Sequence, residues 1–340
     1  MSSDTTDQLV PRLERAQALI ELGRFDEAAS LLRGLLASEP GLAPAWCLFA
    51  QTRIGVDDAE AALDAAERAA ALEPGNGWPH RLRSVALQQL GDLDGAIAAA
   101  HEAVSAEPHD WQTHRRLAIS LIVASRDVDE AVAAAERAVA LAPSEPGAHH
   151  ALGLANDLRR NHAEAGRSFR AALALDPQYS PSHDALARRQ LAASRFGRAG
   201  NLAAAAAGFR DAVRADPRAA HSATNVELVL RLFVARLSYL IFLIVWVASR
   251  VTGDTLGDRI GPLLLLAIPA AFAARFLARL VPDLRRHLLF IAFHGRLAVA
   301  SIAQACALAL LVVSAAAPAD ARTGLGIAAV AASLCARLRL

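Results

Sequence analysis

The sequence predicts an all-α protein in two parts: an α-solenoid of about six helical hairpins over residues 9–217, followed by a bundle of about four transmembrane helices over residues 228–340. Three observations predict it. Prolines recur at a near-constant spacing, small and helix-capping residues stand at fixed offsets before them, and charge and hydropathy change after the last of them.

The whole-chain net charge of +1 hides two unlike stretches. Up to Glu227 there are 30 acidic residues against 23 arginines, a balance of −7; from Leu228 onward there are 4 aspartates, no glutamate and 12 arginines, a balance of +8. The chain has no lysine, which fits a GC-rich codon bias and says little about function. Cys47, Cys306 and Cys335 have neither metal-ligand spacing nor the dense count of a disulfide framework, so ordinary apolar packing explains them. Asp4, Asp7, Arg12, Glu14 and Arg15 lie where a signal peptide would need an apolar core, and residues 1–8 read as a flexible leader to the first hairpin.

Pro40, Pro74, Pro108, Pro143, Pro177 and Pro217 are spaced by 34, 34, 35, 34 and 40 residues. Twelve residues before each stands an alanine (Ala28, Ala62, Ala96, Ala131, Ala165, Ala205), and five before each a small or apolar residue (Leu35, Ala69, Ala103, Ala138, Ala172, Ala212). Sixteen before each lie Arg24, Asp58, Asp92, Asp127, Asn161 and Asn201, five of which can accept bonds from the free N–H groups at a helix start. Glu130 and Glu164 follow their cap residues by three, a capping-box-like spacing. Gly23, Gly91 and Gly200 directly precede the cap position, where a tight turn favours a residue without a Cβ. Each unit is therefore helix, turn, helix, closed by a proline that cannot continue the helix. Alanine at the crossing lets the two backbones approach, with Phe25, Phe169 and Phe209 filling the space beside it. One hairpin buries too little to stand alone, and a series of them makes a continuous core.

These residues resemble the tetratricopeptide repeat family over about residues 9–217. The best matching unit, residues 144–177, carries Leu152-Gly153, Ala165, Phe169, Ala172 and Pro177 at the family's spacings, and Trp46 matches its early aromatic in the second unit. The glycine after leucine is present at Gly153 alone, the fourth unit has one extra residue, and the sixth has six. The resemblance implies that the first helix of each unit lines a concave surface that takes a peptide or protein. Counted along those helices, Trp78, Arg81, Arg115, His150, Asp157, Asp184 and Arg188 face inward. That makes a mildly basic groove with one aromatic, suited to an acidic segment or a C-terminal carboxylate. The same charges also suit an ordinary solvated helix face. The lysine and asparagine pattern of the family's carboxylate clamp for chaperone tails is absent.

Other chemistries have little to work with. Neither His149 with His150 nor His109 with His114 places two imidazoles and a carboxylate on one helical face as a zinc site needs, so no metal or other cofactor is expected. The sequence has no phosphate loop, nucleophile elbow or paired-carboxylate constellation to carry catalysis. A net acidic repeat region repels nucleic-acid phosphate.

After a linker at 218–227, uncharged stretches at 237–249, 260–274, 297–319 and 323–336 run 13, 15, 23 and 14 residues. The third alone reaches the ~20 residues a spanning helix needs; the others reach it if Arg236, Arg250, Arg275, Arg279 and Arg337 extend their heads to the interface. Tyr239 and Trp246 suit interfacial anchoring. With the repeats inside, the 275–296 segment, holding five Arg and one Asp, is also inside, and the alternation obeys the positive-inside rule with four spans. Residues 282–296 read as an interfacial amphipathic helix. The expectation is a non-enzymatic, membrane-anchored scaffold of the bacterial cytoplasmic membrane, its repeats cytoplasmic, recruiting a protein or peptide partner. The alternatives are a small transporter or channel subunit with a regulatory repeat domain, and an assembly factor for a membrane complex. Against transport, no acidic residue lies within any span and Gln304 is the one strongly polar side chain in the third.

Overall fold

The computed structural model describes residues 3–194 and 199–216, and every regular element there is a helix. The chain divides into two compact units, Met1–Pro177 and Gln178–Leu340. The linker and membrane bundle expected beyond residue 217 lie outside the described residues.

The first unit holds five hairpins, made of α1 (Ser3–Glu21) and α2 (Phe25–Ser38), α3 (Ala43–Gly55) and α4 (Ala59–Leu72), α5 (Gly77–Gln89) and α6 (Leu93–Ala106), α7 (Trp111–Ala124) and α8 (Val128–Leu141), and α9 (Pro146–Leu158) and α10 (His162–Leu175). Helix α1 begins at Ser3, ahead of residue 9 where the first hairpin is expected to start. Each second helix has 14 residues and opens one residue after the capping position. Asp58, Asp92, Asp127 and Asn161 accept from the backbone N–H three residues on, whereas Arg24 caps with no side-chain bond. Asp92→Ala is expected to cost about 1 kcal/mol, read as a lower thermal midpoint, because one of the first N–H groups of α6 loses its acceptor.

The fixed offsets become the core. Ala28, Ala62, Ala96, Ala131 and Ala165 are buried to 1% exposure or less, and Leu35, Ala69, Ala103, Ala138 and Ala172 are fully buried. Nine of these ten positions carry only a methyl group and the first hairpin places Leu35 at the tenth, while larger side chains gather in clusters around them. Leu32, Leu35, Leu48, Phe25 and Trp78 belong to one such cluster; Leu117, Leu121, Val132, Ile97 and Leu152 belong to another. First helices also touch one another in series, α1 on α3, α3 on α5, α5 on α7 and α7 on α9, while α2, α4, α6 and α8 each pack between the first helices of their own and the following hairpin. The first helices thus share one continuous face.

Turns within hairpins need a left-handed residue, and glycine fills only some of them. Gly23 and Gly91 have φ of 68° and 85°, but Asp57 and Arg160 take the same role at 58° and 63°. A side chain with a Cβ costs about 1 kcal/mol in that conformation. Arg160→Gly is therefore expected to raise stability by about 0.5–1 kcal/mol, checked by urea unfolding. The extra residue of the fourth hairpin lengthens α7 to 14 residues where α3, α5 and α9 have 13. It moves the left-handed conformation to Ser125 (φ 52°) and to the cap residue Asp127 (φ 33°).

Between hairpins, a second regularity closes each joint. Six residues after the signature proline, a ring N–H meets that proline's carbonyl: Trp46 Nε1 donates to Pro40 O at 2.8 Å, and the Nε2 atoms of His80, His114 and His149 lie 3.2, 2.9 and 2.8 Å from the carbonyls of Pro74, Pro108 and Pro143. Since a carbonyl accepts only, these histidines carry their proton on Nε2. The histidines are structural pieces of the joints.

In the second unit, α11 (Ser180–Ser194) and α12 (Ala199–Ala215) form a further hairpin. Phe209, Ala205, Ala212 and Ala187 are fully buried, and Ser180 Oγ donates to Ala212 O at 3.0 Å across it. These helices have 15 and 17 residues, so they take up most of the six-residue insertion as helix. Gly200 and Asn201 accordingly lie inside α12, not at the turn and cap positions expected for them. Among the described residues no helix is long and apolar enough to cross a membrane.

Candidate functional site

Helical periodicity places Arg81, Val85 and Gln88 of α5 along one strip and Arg115, Ile119 and Ile122 of α7 along the next, all half-buried. Both strips belong to the face the first helices share. Arg81 is not free there. Its Nη1 donates to Asp110 Oδ2 at 2.7 Å and to Gln112 Oε1, so it ties α5 to the start of α7. Asp110 completes the tie by accepting from Gln112 N at 2.9 Å as the cap of α7. Burial pushes the Arg81 guanidinium below its usual range, and Asp110 and Glu107 oppose that push.

Arg115 is different. Its Nε is buried with no hydrogen-bond partner, and among the described residues no carboxylate pairs with it. The next residue, Arg116, is 9% exposed and points into the α5–α7 seam, donating to Gln88 Oε1 and, at 3.2 Å from Nε and 3.1 Å from Nη2, to Ser120 Oγ. Ser120 Oγ lies 3.0 Å from Ser84 Oγ, which donates to Ala96 O at 2.7 Å and extends the network to α6. Burial first, and the Arg115 charge second, lower the Arg116 pKa to about 10. Arg116 thus has neutral partners in the seam and Arg115 Nε has none, beside Arg81, which is already paired.

The other expected groove residues have defined surroundings. Trp78 packs against the clusters of the first and second hairpins and serves the core as well as the face. His150 is buried, its ring centroid 5.4 Å from that of Phe169 at a 46° tilt. Asp157 Oδ1 lies 3.1 Å from His162 Nδ1 at the turn into α10. Asp184 and Arg188 belong to the second unit, where Arg188 Nε pairs with Asp184 Oδ2 at 2.9 Å, one turn apart on α11. Counting along helices missed Arg116 and the proline-carbonyl joints, although the Arg-Arg pair and the ring residue six after each proline were both in plain view. The Cys47 thiol is pushed up to about 12, chiefly by burial, which keeps it in its unreactive protonated form. Among the described residues no cluster of three or more potential metal ligands occurs.

Models of the tetratricopeptide repeat match residues 9–52, 81–146 and 123–180. No curated protein matches the sequence. Among solved structures, the anaphase-promoting-complex hetero-tetramer Cut9-Hcn1 superposes with a TM-score of 0.53 at 18% identity, over 65% of this chain and 42% of that one, so the chain spans less than half of that relative. A thermophilic tetratricopeptide repeat protein of Thermus thermophilus, TTC0263, gives a TM-score of 0.47 at 22% identity, over 51% of this chain and 93% of that one. YrrB, described as such a protein with an unusual peptide-binding site, gives 0.37 at 17% identity, over 51% and 89%. The described residues have the fold of a tetratricopeptide repeat array, and residues 9–52 and 81–180 match models of that repeat.

Proposed function

We propose that this protein is a membrane-anchored interaction scaffold whose first helices form a receptor face for a cytoplasmic protein or peptide. The observation that carries the receptor half is Arg115, whose Nε is buried without an acceptor, on the strip of α7 that belongs to the face shared by α3, α5, α7 and α9. A buried donor without an acceptor costs about 1–3 kcal/mol, and a partner that supplied the acceptor would recover it. The fold supports the same reading, because stacked hairpins present an extended face. The anchoring half rests on the uncharged stretches at 237–249, 260–274, 297–319 and 323–336 and on the alternation of arginines between them.

Two measurements test the two halves separately. Affinity capture from a detergent extract with the full chain is expected to recover a partner that Arg115→Glu loses while its circular dichroism spectrum is unchanged; equal recovery would reject the receptor face. Gentle lysis without detergent is expected to leave the full chain in the membrane pellet, and its appearance in the aqueous fraction would remove the anchor.

A further inference from the structure

We propose that the edge of the repeat array formed by its hairpin turns is a second interaction surface, and that it takes a basic amphipathic helix of a partner protein. This edge is distinct from the first-helix face and does not involve Arg115.

The turns within the hairpins of the first unit line up. Gln89 Nε2, at the end of α5, donates to Asp57 Oδ1 at 3.2 Å and to Ile54 O at 3.3 Å in the turn of the preceding hairpin. Arg126 pairs with Asp94 at 2.8 Å and Arg159 with Asp129 at 3.3 Å, linking the later turns in the same way. At the start of the series, the Phe25 ring lies so close to Gly55 that it leaves no room for a Cβ. Each contact joins the turn of one hairpin to that of the next, so the five turns form one edge.

Along the first three hairpins this edge combines apolar and acidic side chains. Leu22, Val56 and Leu90 stand 34 residues apart, each directly before the left-handed turn residue, and are 58%, 40% and 44% exposed. A single exposed leucine is ordinary, whereas three at one position of touching hairpins make a row. Around the row, residues 22–27, 56–60 and 90–94 hold seven carboxylates against one arginine, Arg24. Glu27, Asp58 and Asp94 have arginine partners; Asp26, Asp57, Glu60 and Asp92 have no cationic partner among the described residues. The acidic excess fades at the fourth and fifth turns, where Arg126, Arg159 and Arg160 stand among the carboxylates.

These features select the occupant. Like charge repels a second copy of the edge and an anionic bilayer surface, while lysine or arginine set beside aliphatic side chains meets both the carboxylates and the row. Spacing selects a helix. First helices in contact lie about 8–10 Å apart, and a helix climbs about 10 Å in seven residues, so an aliphatic residue every two turns would set one side chain against each of Leu22, Val56 and Leu90.

The test uses the full chain in a non-ionic detergent, with empty micelles as the blank, and fluorescein-labelled helical peptides read by fluorescence anisotropy. One peptide carries leucine at every seventh position, lysine on either side of it and alanine elsewhere; a second has glutamate in place of lysine. The lysine peptide is expected to bind, the glutamate peptide at least tenfold more weakly, and raised salt is expected to weaken the first. Two triple variants, Asp26→Asn with Asp57→Asn and Glu60→Gln, and Leu22→Ser with Val56→Ser and Leu90→Ser, are each expected to reduce lysine-peptide binding about tenfold at an unchanged circular dichroism spectrum, because all six side chains are exposed. Glu136→Gln, which changes an exposed carboxylate in the middle of α8, is expected to leave binding unchanged. No binding of the lysine peptide, equal binding of the two peptides, or wild-type affinity in either triple variant would overturn the proposal. So would dimerisation of the full chain, seen by light scattering, that the serine variant abolishes, since a second copy would then cover the row. Affinity capture with Arg115→Glu reports on the first-helix face alone, so either surface can fail without the other.

Discussion

Phe169→Ala is expected to lower the unfolding free energy of the first unit by about 3–5 kcal/mol, the largest effect of any single truncation of its side chains. Phe169 is fully buried on α10, and its ring lies so close to Gly153 of α9 that a Cβ built there would come 2.4 Å from Cε1 and 2.5 Å from Cδ1. The His150 ring also packs against it. The three residues form one fitted contact between the helices of the fifth hairpin, so truncating the ring leaves a void that the glycine cannot fill. Gly153→Ala alone is expected to cost about 1–3 kcal/mol by overpacking. In the double variant the two penalties should partly cancel, because the added methyl group enters the space the ring vacated. Urea unfolding followed by far-ultraviolet circular dichroism measures all three; a Phe169→Ala variant within 1 kcal/mol of wild type would show that the ring is not fitted as described.

Ala131→Leu is expected to destabilise by at least about 1–3 kcal/mol. Ala131 is fully buried on α8 in the cluster with Leu117, Leu121 and Val132, where the crossing with α7 leaves room for a methyl group. The control lies two residues away: Ala133 is exposed on the same helix, and Ala133→Leu should change stability by no more than about 0.5 kcal/mol. The same unfolding measurement separates them. Similar midpoints for the two variants would mean that the alanine offset reflects composition and not close approach of the helices.

Much of the fold is legible in the sequence because its determinants repeat. The prolines mark the joints, the alanines twelve and five residues before them mark the crossings, and Asp58, Asp92, Asp127 and Asn161 mark helix starts; each is a local rule applied at a constant interval. Reading failed where the interval broke. In the last hairpin the inserted residues extend α11 and α12, and helix propagation through alanine-rich sequence overrode the turn expected of Gly200 and Asn201. Asp57 and Arg160 were unreadable as left-handed residues because a turn of fixed length imposes that conformation whatever side chain occupies it.

The pairing within the candidate site was not legible. Counting by turns puts Arg81 and Arg115 on the first-helix face, yet Arg81 is satisfied by Asp110, 29 residues away on the next hairpin, a contact that no single-helix pattern contains. Arg116 escaped notice for the converse reason. Its neighbour pointed to the face, while Arg116 itself turned into the seam, where Gln88 and Ser120 hold a charge that sequence patterns place in solvent.

The histidine joints have a consequence for substitution. Each proline oxygen accepts from a ring nitrogen carried six residues on, and Trp46 makes at Pro40 the link that His80, His114 and His149 make at Pro74, Pro108 and Pro143. What the fastening demands is an N–H at that reach and not an imidazole, so a tryptophan indole serves as well as a histidine, whereas a side chain offering only an acceptor leaves the oxygen unanswered.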